Sequence, residues 1–420
     1  MEQPQPSRPP ASRFPALAHR DFRLIWIGQT ISVAGTQMQS AALLWHLNAL
    51  THSPVALGLM GLYRALPMIA LSIAGGAVAD SADRRRVLIV TQVLLGLSAA
   101  ALAAATGAGH ATAALLYGIT AVNAATQAFG NPSRQALMPN LVPREDFGNA
   151  VSLNSIATNT AAIVGPAAAG LLVARVGMAA VYWVNAASFV AVIAALLAIR
   201  PKDARPEGPG PGMGLGAAAE GLRFVFRTPI LVWTMGLDFT ATFFSTASSL
   251  LPIFATDVLK VGAEGYGLLA AAEGMGSLAA GSIMAMRRPP RRPGRAILTA
   301  VTLYGVATAL FGLSRTMWVA FATLALLGAG DTVSTILRQT LRQMVTPDRL
   351  RGRMTAVNML FVMGGPQLGN LEAGLVAGLW GVPFSIASGG LACVLVAGLV
   401  WWRGRALADY RDGTHARRLP

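Results

Sequence analysis

Residues 75–88 read G-G-A-V-A-D-S-A-D-R-R-R-V-L, a short polar passage between two long apolar runs. The flanking runs cover roughly 55–79 and 87–106, and a bilayer is crossed by about 20 apolar residues. The passage is therefore an elbow joining two membrane spans on one face. Asp80 ends the first span, and Arg84, Arg85 and Arg86 hold the elbow in the cytoplasm. Gly75 and Gly76 remove side chains where two helices must approach closely.

Composition extends this reading to the whole chain. Of 420 residues, 54% are hydrophobic and 12% charged, and mean hydropathy is +0.53. A soluble domain carries about 25% charged residues. The net charge of +15 would fit a nucleic-acid partner only if the basic residues shared a surface. They do not. With the N-terminus placed inside, all but four of the 33 Lys and Arg fall in segments on the elbow's side, the exceptions being Arg64, Arg175, Lys260 and Arg315. Such asymmetry sets topology and accounts for the surplus without nucleic acid. The first twenty residues contain no apolar core of a signal peptide, so the first span is expected to direct insertion. Cys393 is the single cysteine, which excludes an intrachain disulfide and a cysteine-based metal site. It fits as a small apolar residue in the last span.

Twelve all-α spans are expected. The first six cover 24–48, 55–79, 87–106, 111–131, 147–174 and 178–199. The second six cover 229–256, 264–286, 296–313, 317–337, 353–378 and 383–402. An even number returns both termini to the cytoplasm. The expected organisation is a cytoplasmic N-terminal segment 1–23, a six-helix bundle 24–200, a linker 201–228, a second six-helix bundle 229–403 and a cytoplasmic tail 404–420. Within the linker region, 200–214 is rich in Pro and Gly. Residues 217–227 mix Leu222, Phe224, Val225 and Phe226 with Glu220, Arg223 and Arg227, the pattern of a helix lying in the membrane interface. An internal repeat supports the two halves: a shift of 204 positions aligns Arg134, Gln135, Leu137, Pro143 and Asn154 with Arg338, Gln339, Leu341, Pro347 and Asn358.

Ionisable residues inside spans are costly and mark candidate functional sites. They are Arg64, Asp238, Glu273, Asp331 and Glu372. Asp238 and Glu273 lie nearest mid-span and rank first as proton carriers, with Asp331 third and Glu372 weakest. A static ion pair joining helices is the competing reading for each. Arg64 is either their counter-charge or a contact for an anionic substrate. The first span is polar on one side through Gln29, Thr36, Gln37 and Gln39. In the fourth, Asn123, Gln127 and Asn131 recur every four residues and so share a face. His46 is expected to be interfacial or hydrogen-bonded. No phosphate-cradling loop of an ATPase is present, and no metal-ligand cluster or nucleophile–base pairing stands out. No cofactor, metal or enzymatic activity is expected.

Gly76, Asp80, Arg84 and Arg85 resemble the signature Gly-x-x-x-Asp-x-x-x-Arg-Arg of the major facilitator superfamily. Ser81 and Asp83 depart from the usual Arg and Gly. The passages 17–26 (L-A-H-R-D-F-R-L-I-W) and 131–154 resemble the branch holding the enterobactin exporter and macrolide-efflux proteins. Gly165, Pro166 and Gly170 resemble the antiporter motif of exporters, with Ser152, Ala161 and Ala169 standing where glycines are usual. Gly274, Gly276, Ser277 and Gly281 of the eighth span would face it. The resemblance implies alternating access between the bundles, in a monomer of the bacterial inner membrane. It also implies a gate in which Asp80 meets the start of the eleventh span near 352–354. Gln37, Asn123 and Gln127 would line the substrate cavity. The fourth span lacks the intramembrane Arg of many proton-coupled drug exporters. The expected function is proton-coupled export of a siderophore or amphiphilic drug-like molecule, with small solute, protons and bilayer as partners. An importer on the same fold is the first alternative and a membrane-embedded enzyme the second.

Overall fold

The computed structural model describes residues 14–199, 215–244, 248–288, 290–347 and 350–410, and its described elements are helical. The expected linker 200–214 lies outside the described residues. In the first half, α1 is Arg20–Thr51, α2 Pro54–Ser81, α3 Arg84–Gly107, α4 Ala113–Leu137, α5 Phe147–Arg175 and α6 Met178–Ala198. A short α7, Leu215–Arg227, leads to α8, Pro229–Phe244. Then follow α9 Ala263–Met286, α10 Pro293–Leu313, α11 Met317–Val345, α12 Arg351–Trp380 and α13 Val382–Arg403. Eight of these are long and apolar enough to cross a membrane: α2, α3, α5, α6, α9, α10, α11 and α13.

The seventh expected span, 229–256, is not one helix. α8 ends at Phe244, a turn covers 248–250, and a short helical turn Leu251–Ile253 runs into a π-helical turn Phe254–Val258. Pro252 lies in that turn, where a ring without an N–H takes no part in a continuous helix ladder.

Local chemistry sets the tight connections. Between α1 and α2, His52 is left-handed at φ 47° and the Ser53 side chain accepts from the Ala56 N–H, with Pro54 opening the helix. The departure at Asp83 has a structural use: its carboxylate accepts from the N–H groups of Arg85 and Arg86 and caps α3. Asp83→Ala is expected to cost about 0.5–2 kcal/mol, read as a lowered thermal unfolding midpoint. Gly177 and Gly381, 204 positions apart, link α5 to α6 and α12 to α13 at φ 110° and 89°. A left-handed turn is open to glycine at little cost, and its recurrence carries the repeat beyond the elbows.

The chain halves meet through α2 with α12 and α5 with α9. Both crossings are glycine on glycine. A Cβ on Gly374 would lie 2.9 Å from the Gly58 Cα, and one on Gly170 would lie 2.8 Å from the Gly267 Cα. Around them, the Tyr266 hydroxyl donates to the Ala41 carbonyl at 3.0 Å, Trp45 stacks on Tyr266, and Arg175 pairs with Glu264 at 2.9 Å. These contacts cluster at the end of the molecule opposite the arginine elbow.

Helix α7 packs Val225 against Leu231, Met235, Met354 and Val357, while Leu222 and Phe226 stay exposed. Cys393 is buried.

Candidate functional site

A cavity of about 420 Å³ lies against the first half of the chain. That volume is in the range of small-molecule sites, about 300–1,000 Å³. α1 supplies Gln29, Thr36, Gln37 and Gln39, α4 supplies Asn123, Gln127, Asn131 and Arg134, and α2 supplies Arg64. Ser249 and, from α12, Gln367 and Asn370 reach it from the second half. The structure thus brings Gln37, Asn123, Gln127 and Arg64 into one lining. Asn123 is partly committed, since the Ser98 hydroxyl donates to its Oδ1 at 2.6 Å. Gln39 accepts from Asn185 at 2.7 Å, and His46 is buried on the Tyr182 hydroxyl at 3.0 Å.

Arg134 lies beyond 131, the expected end of the fourth span, and is expected on the cytoplasmic side. α4 continues to Leu137, so Arg134 stands on a helix, half-buried, on the cavity wall.

A second polar cluster occupies the second half. Asp238 in α8 is buried, with Oδ1 2.9 Å from Arg338 Nη2 and Oδ2 2.9 Å from Arg342 Nη2. Arg342 also donates to Asn358 of α12. Asp331, two turns before Arg338 in α11, lies 3.8 Å from it and accepts from the Thr335 hydroxyl at 3.5 Å. The backbone of Glu273 is in close contact with Gly328, and Glu273, Asp331 and the buried Tyr304 of α10 lie within one another's electrostatic reach. Asp238 therefore sits in a double ion pair. Arg338 and Arg342, read from sequence as basic loop residues beyond a span ending at 337, are its partners. α11 runs on to Val345 and carries both guanidinium groups inside. Glu372 is half-buried in α12 and outside the cavity lining.

At the elbow, the Asp80 side chain lies outside what the structure describes. Gly75 packs on the Ala128 carbonyl of α4, whereas nothing among the described residues lies within 4 Å of the position of a Cβ on Gly76. Arg84 donates to the Ala136 carbonyl at 3.1 Å, and Arg85 donates to Leu196 and Leu197 at 2.6 and 3.0 Å. Cationic side chains on the last carbonyls of a helix complement its dipole. Both arginines thus bind ends of α4 and α6, within their own half.

In α5, Gly165 faces Gln37 and Met38 of α1, and Gly170 faces Gly267 and Ala263 of α9; Pro166 contributes its carbonyl to the second contact. The expected partner face is only partly right. Gly274 meets Ala162 and Ile163, but Gly276 and Gly281 face Ala325 and Thr332 of α11, and the Ser277 hydroxyl donates to Gly328. Gly267 and Gly274, seven residues apart, share one face of α9, and Gly276 and Ser277 are turned away from it. Gly170→Leu is expected to wedge the crossing at an overpacking cost of about 1–3 kcal/mol. In a Cys393→Ser background, a cysteine at Gln37 should then label faster with a membrane-impermeant maleimide from the side opposite the elbow. Unchanged labelling would mean this crossing does not seal the cavity.

The family described as transmembrane secretion effector matches residues 11–411. The chain is 27% identical over 371 residues to the multidrug efflux pump Tap of Mycolicibacterium fortuitum, covering 84% of this chain and 88% of that protein. It is 26% identical to the enterobactin exporter EntS of Escherichia coli (strain HS), covering 88% of each. Among solved structures, a bacterial homolog of the human lysosomal transporter Spinster, inward-facing and unoccupied, superposes with TM-score 0.72 at 15% identity. The match covers 96% of this chain and 99% of that one. A POT family transporter in complex with 5-aminolevulinic acid gives TM-score 0.71 at 12% identity, over 92% and 96%. At such identities these two likenesses establish the fold alone.

Proposed function

We propose that this chain, which belongs to the transmembrane secretion effector family of major-facilitator transporters, exports a small amphiphilic solute in exchange for protons. The cargo is a siderophore or a drug-like metabolite, in keeping with relatives named as an enterobactin exporter and a multidrug efflux pump. The observation that carries the reading is the polar cavity between chain halves that meet at one end through two glycine crossings. Crossings of that kind can part and re-form at opposite ends, which is alternating access.

In this reading the protein is a monomer of the bacterial inner membrane with both termini in the cytoplasm. α1–α6 form one six-span bundle within 24–200. α8 with the broken segment 248–258, and then α9–α13, form the other within 229–403. The cavity then opens towards the cytoplasm, and Gly76, Asp80, Arg84 and Arg85 belong to the gate that closes on that side. Gly165, Pro166 and Gly170 belong to the outer seal.

Proton coupling is assigned to the second half by charge count. Asp238 and Asp331 face the two arginines, Arg338 and Arg342, whereas Glu273 has only the acidic Asp331 as a charged neighbour and makes no ion pair among the described residues, so it lacks a counter-charge. Asp238 is taken by both arginines. Glu273, with Asp331 beside it, is the group free to accept and release a proton. Arg64 stands across the molecule in the cavity wall and takes no part in that cluster.

The test is accumulation of labelled enterobactin and erythromycin by everted membrane vesicles energised by respiration. Export predicts accumulation of at least one, released by a protonophore. Accumulation in right-side-out vesicles instead would overturn the direction.

A further inference from the structure

We infer that the cavity selects solutes bearing an anionic oxygen group, held by Arg64 and Arg134. The inference rests on the cavity being where cargo binds. Among the described residues, the lining contains both guanidinium groups and no Asp or Glu. Within α1–α6 the only carboxylates are Asp21, in the first turn of α1, and Asp80, in the last turn of α2. Arg64 makes no ion pair or side-chain hydrogen bond among the described residues. Arg134 has one hydrogen bond there, to the Asn131 amide oxygen at 3.5 Å.

The internal repeat sharpens the point. Arg338 is the counterpart of Arg134, and Asp331 precedes Arg338 by seven residues, as Gln127 precedes Arg134. In the second half that arginine is neutralised by Asp238 and approached by Asp331. In the first half the matching carboxylate is the amide Gln127, and α1 carries no acid beyond Asp21. One half thus builds its counter-ion in, and the other leaves two cations facing a cavity with no carboxylate partner among the described residues.

A guanidinium without a counter-charge at membrane depth is costly, so its retention calls for a partner. An incoming carboxylate, or an acidic phenolic or hydroxamate oxygen, satisfies it through charge-assisted hydrogen bonds. Gln37 and Gln127, with no side-chain hydrogen bond among the described residues, offer further donors. A cationic solute would meet like charge. Between the two cargo classes above, the cavity favours the acidic one.

The experiment is equilibrium binding to the purified full-length protein, by calorimetry, of three probes of similar size: naphthaleneacetate, naphthaleneacetamide and naphthylethylammonium. The acetate is expected to bind at least about tenfold more tightly than the other two, and Arg64→Gln or Arg134→Gln to weaken it about ten- to a hundredfold. Binding of the neutral amide, which loses at most a neutral-acceptor hydrogen bond, should weaken far less than that of the acetate in both variants, and an unfolding midpoint near the parent's checks that the cavity is intact. Should either glutamine variant prove unstable, Arg64→Lys and Arg134→Lys decide, and they are expected to keep the anion preference. Undetectable acetate binding, ammonium binding of equal strength, or a preference that survives both glutamine variants would overturn the inference. No gradient is involved, so a failure here leaves the direction and coupling of transport to the vesicle assays.

Discussion

Replacing Asp238 with Ala is expected to destabilise the protein by about 3–5 kcal/mol, the cost of stranding buried charge by removing one partner of an ion pair. The physical ground is unusually direct. Arg338 and Arg342 are 1% and 3% exposed as side chains, and each places an Nη2 at 2.9 Å from a different oxygen of the one carboxylate. Without it, Arg338 keeps only Asp331 at 3.8 Å and Thr335, and Arg342 keeps the Asn358 amide and the Arg338 carbonyl. Two nitrogens of Arg338, Nε and Nη1, already lack a hydrogen-bond partner among the described residues, so the cluster has little to redistribute. The measurement is the apparent Tm in detergent. Pairing Asp238→Leu with Arg338→Met should recover part of the loss, because an apolar pair of similar volume carries no desolvation cost. An Asp238→Ala protein as stable as the parent would show that the double ion pair does not hold α8 to α11.

Glu273→Gln is expected to have the opposite profile: stability near that of the parent, and uphill transport reduced by about a hundredfold, within the range for loss of a positioned proton-transfer group. Glu273 lies on α9 where its backbone packs on Gly328 of α11, beside Asp331 and Tyr304. The neutral amide preserves shape and removes the exchangeable proton. Substrate–substrate exchange, which needs no net proton movement, should survive in the variant. Loss of exchange together with uphill transport would instead assign Glu273 to binding or packing. The two substitutions therefore separate the two roles that sequence alone leaves open for buried carboxylates.

Much of the fold is written in hydropathy and in the placement of arginines, because span length and positive-inside bias are properties of the chain and bilayer rather than of tertiary contacts. The interior polar clusters are less legible for the same reason. Arg134, Arg338 and Arg342 follow apolar stretches, and a topology rule treats any such arginine as an interfacial anchor. α4 and α11 carry them inside by continuing to Leu137 and Val345. One signal was available. Arg134 and Arg338 recur at the 204-residue offset with Gln and Leu beside them, and a repeated residue at the same point of two bundles marks a position set by packing. The broken segment after α8 was hidden because its residues are as apolar as a continuous span. Gly276 and Gly281 were assigned to the wrong neighbour because small residues show that a helix is approached closely, and not by which helix. Asp83 was read as a departure from a motif, and its role as a cap emerges only with the bond geometry.

Proton coupling through Glu273 is the central claim, and proton movement on adding cargo tests it most directly. Everted vesicles acidified by respiration would receive enterobactin, with internal pH followed by a fluorescent probe, for the parent and for Glu273→Gln. Coupling through Glu273 predicts a cargo-dependent alkalinisation in the parent that is absent in the variant. An equal response in both, or solute accumulation in the parent with no proton movement, would contradict it.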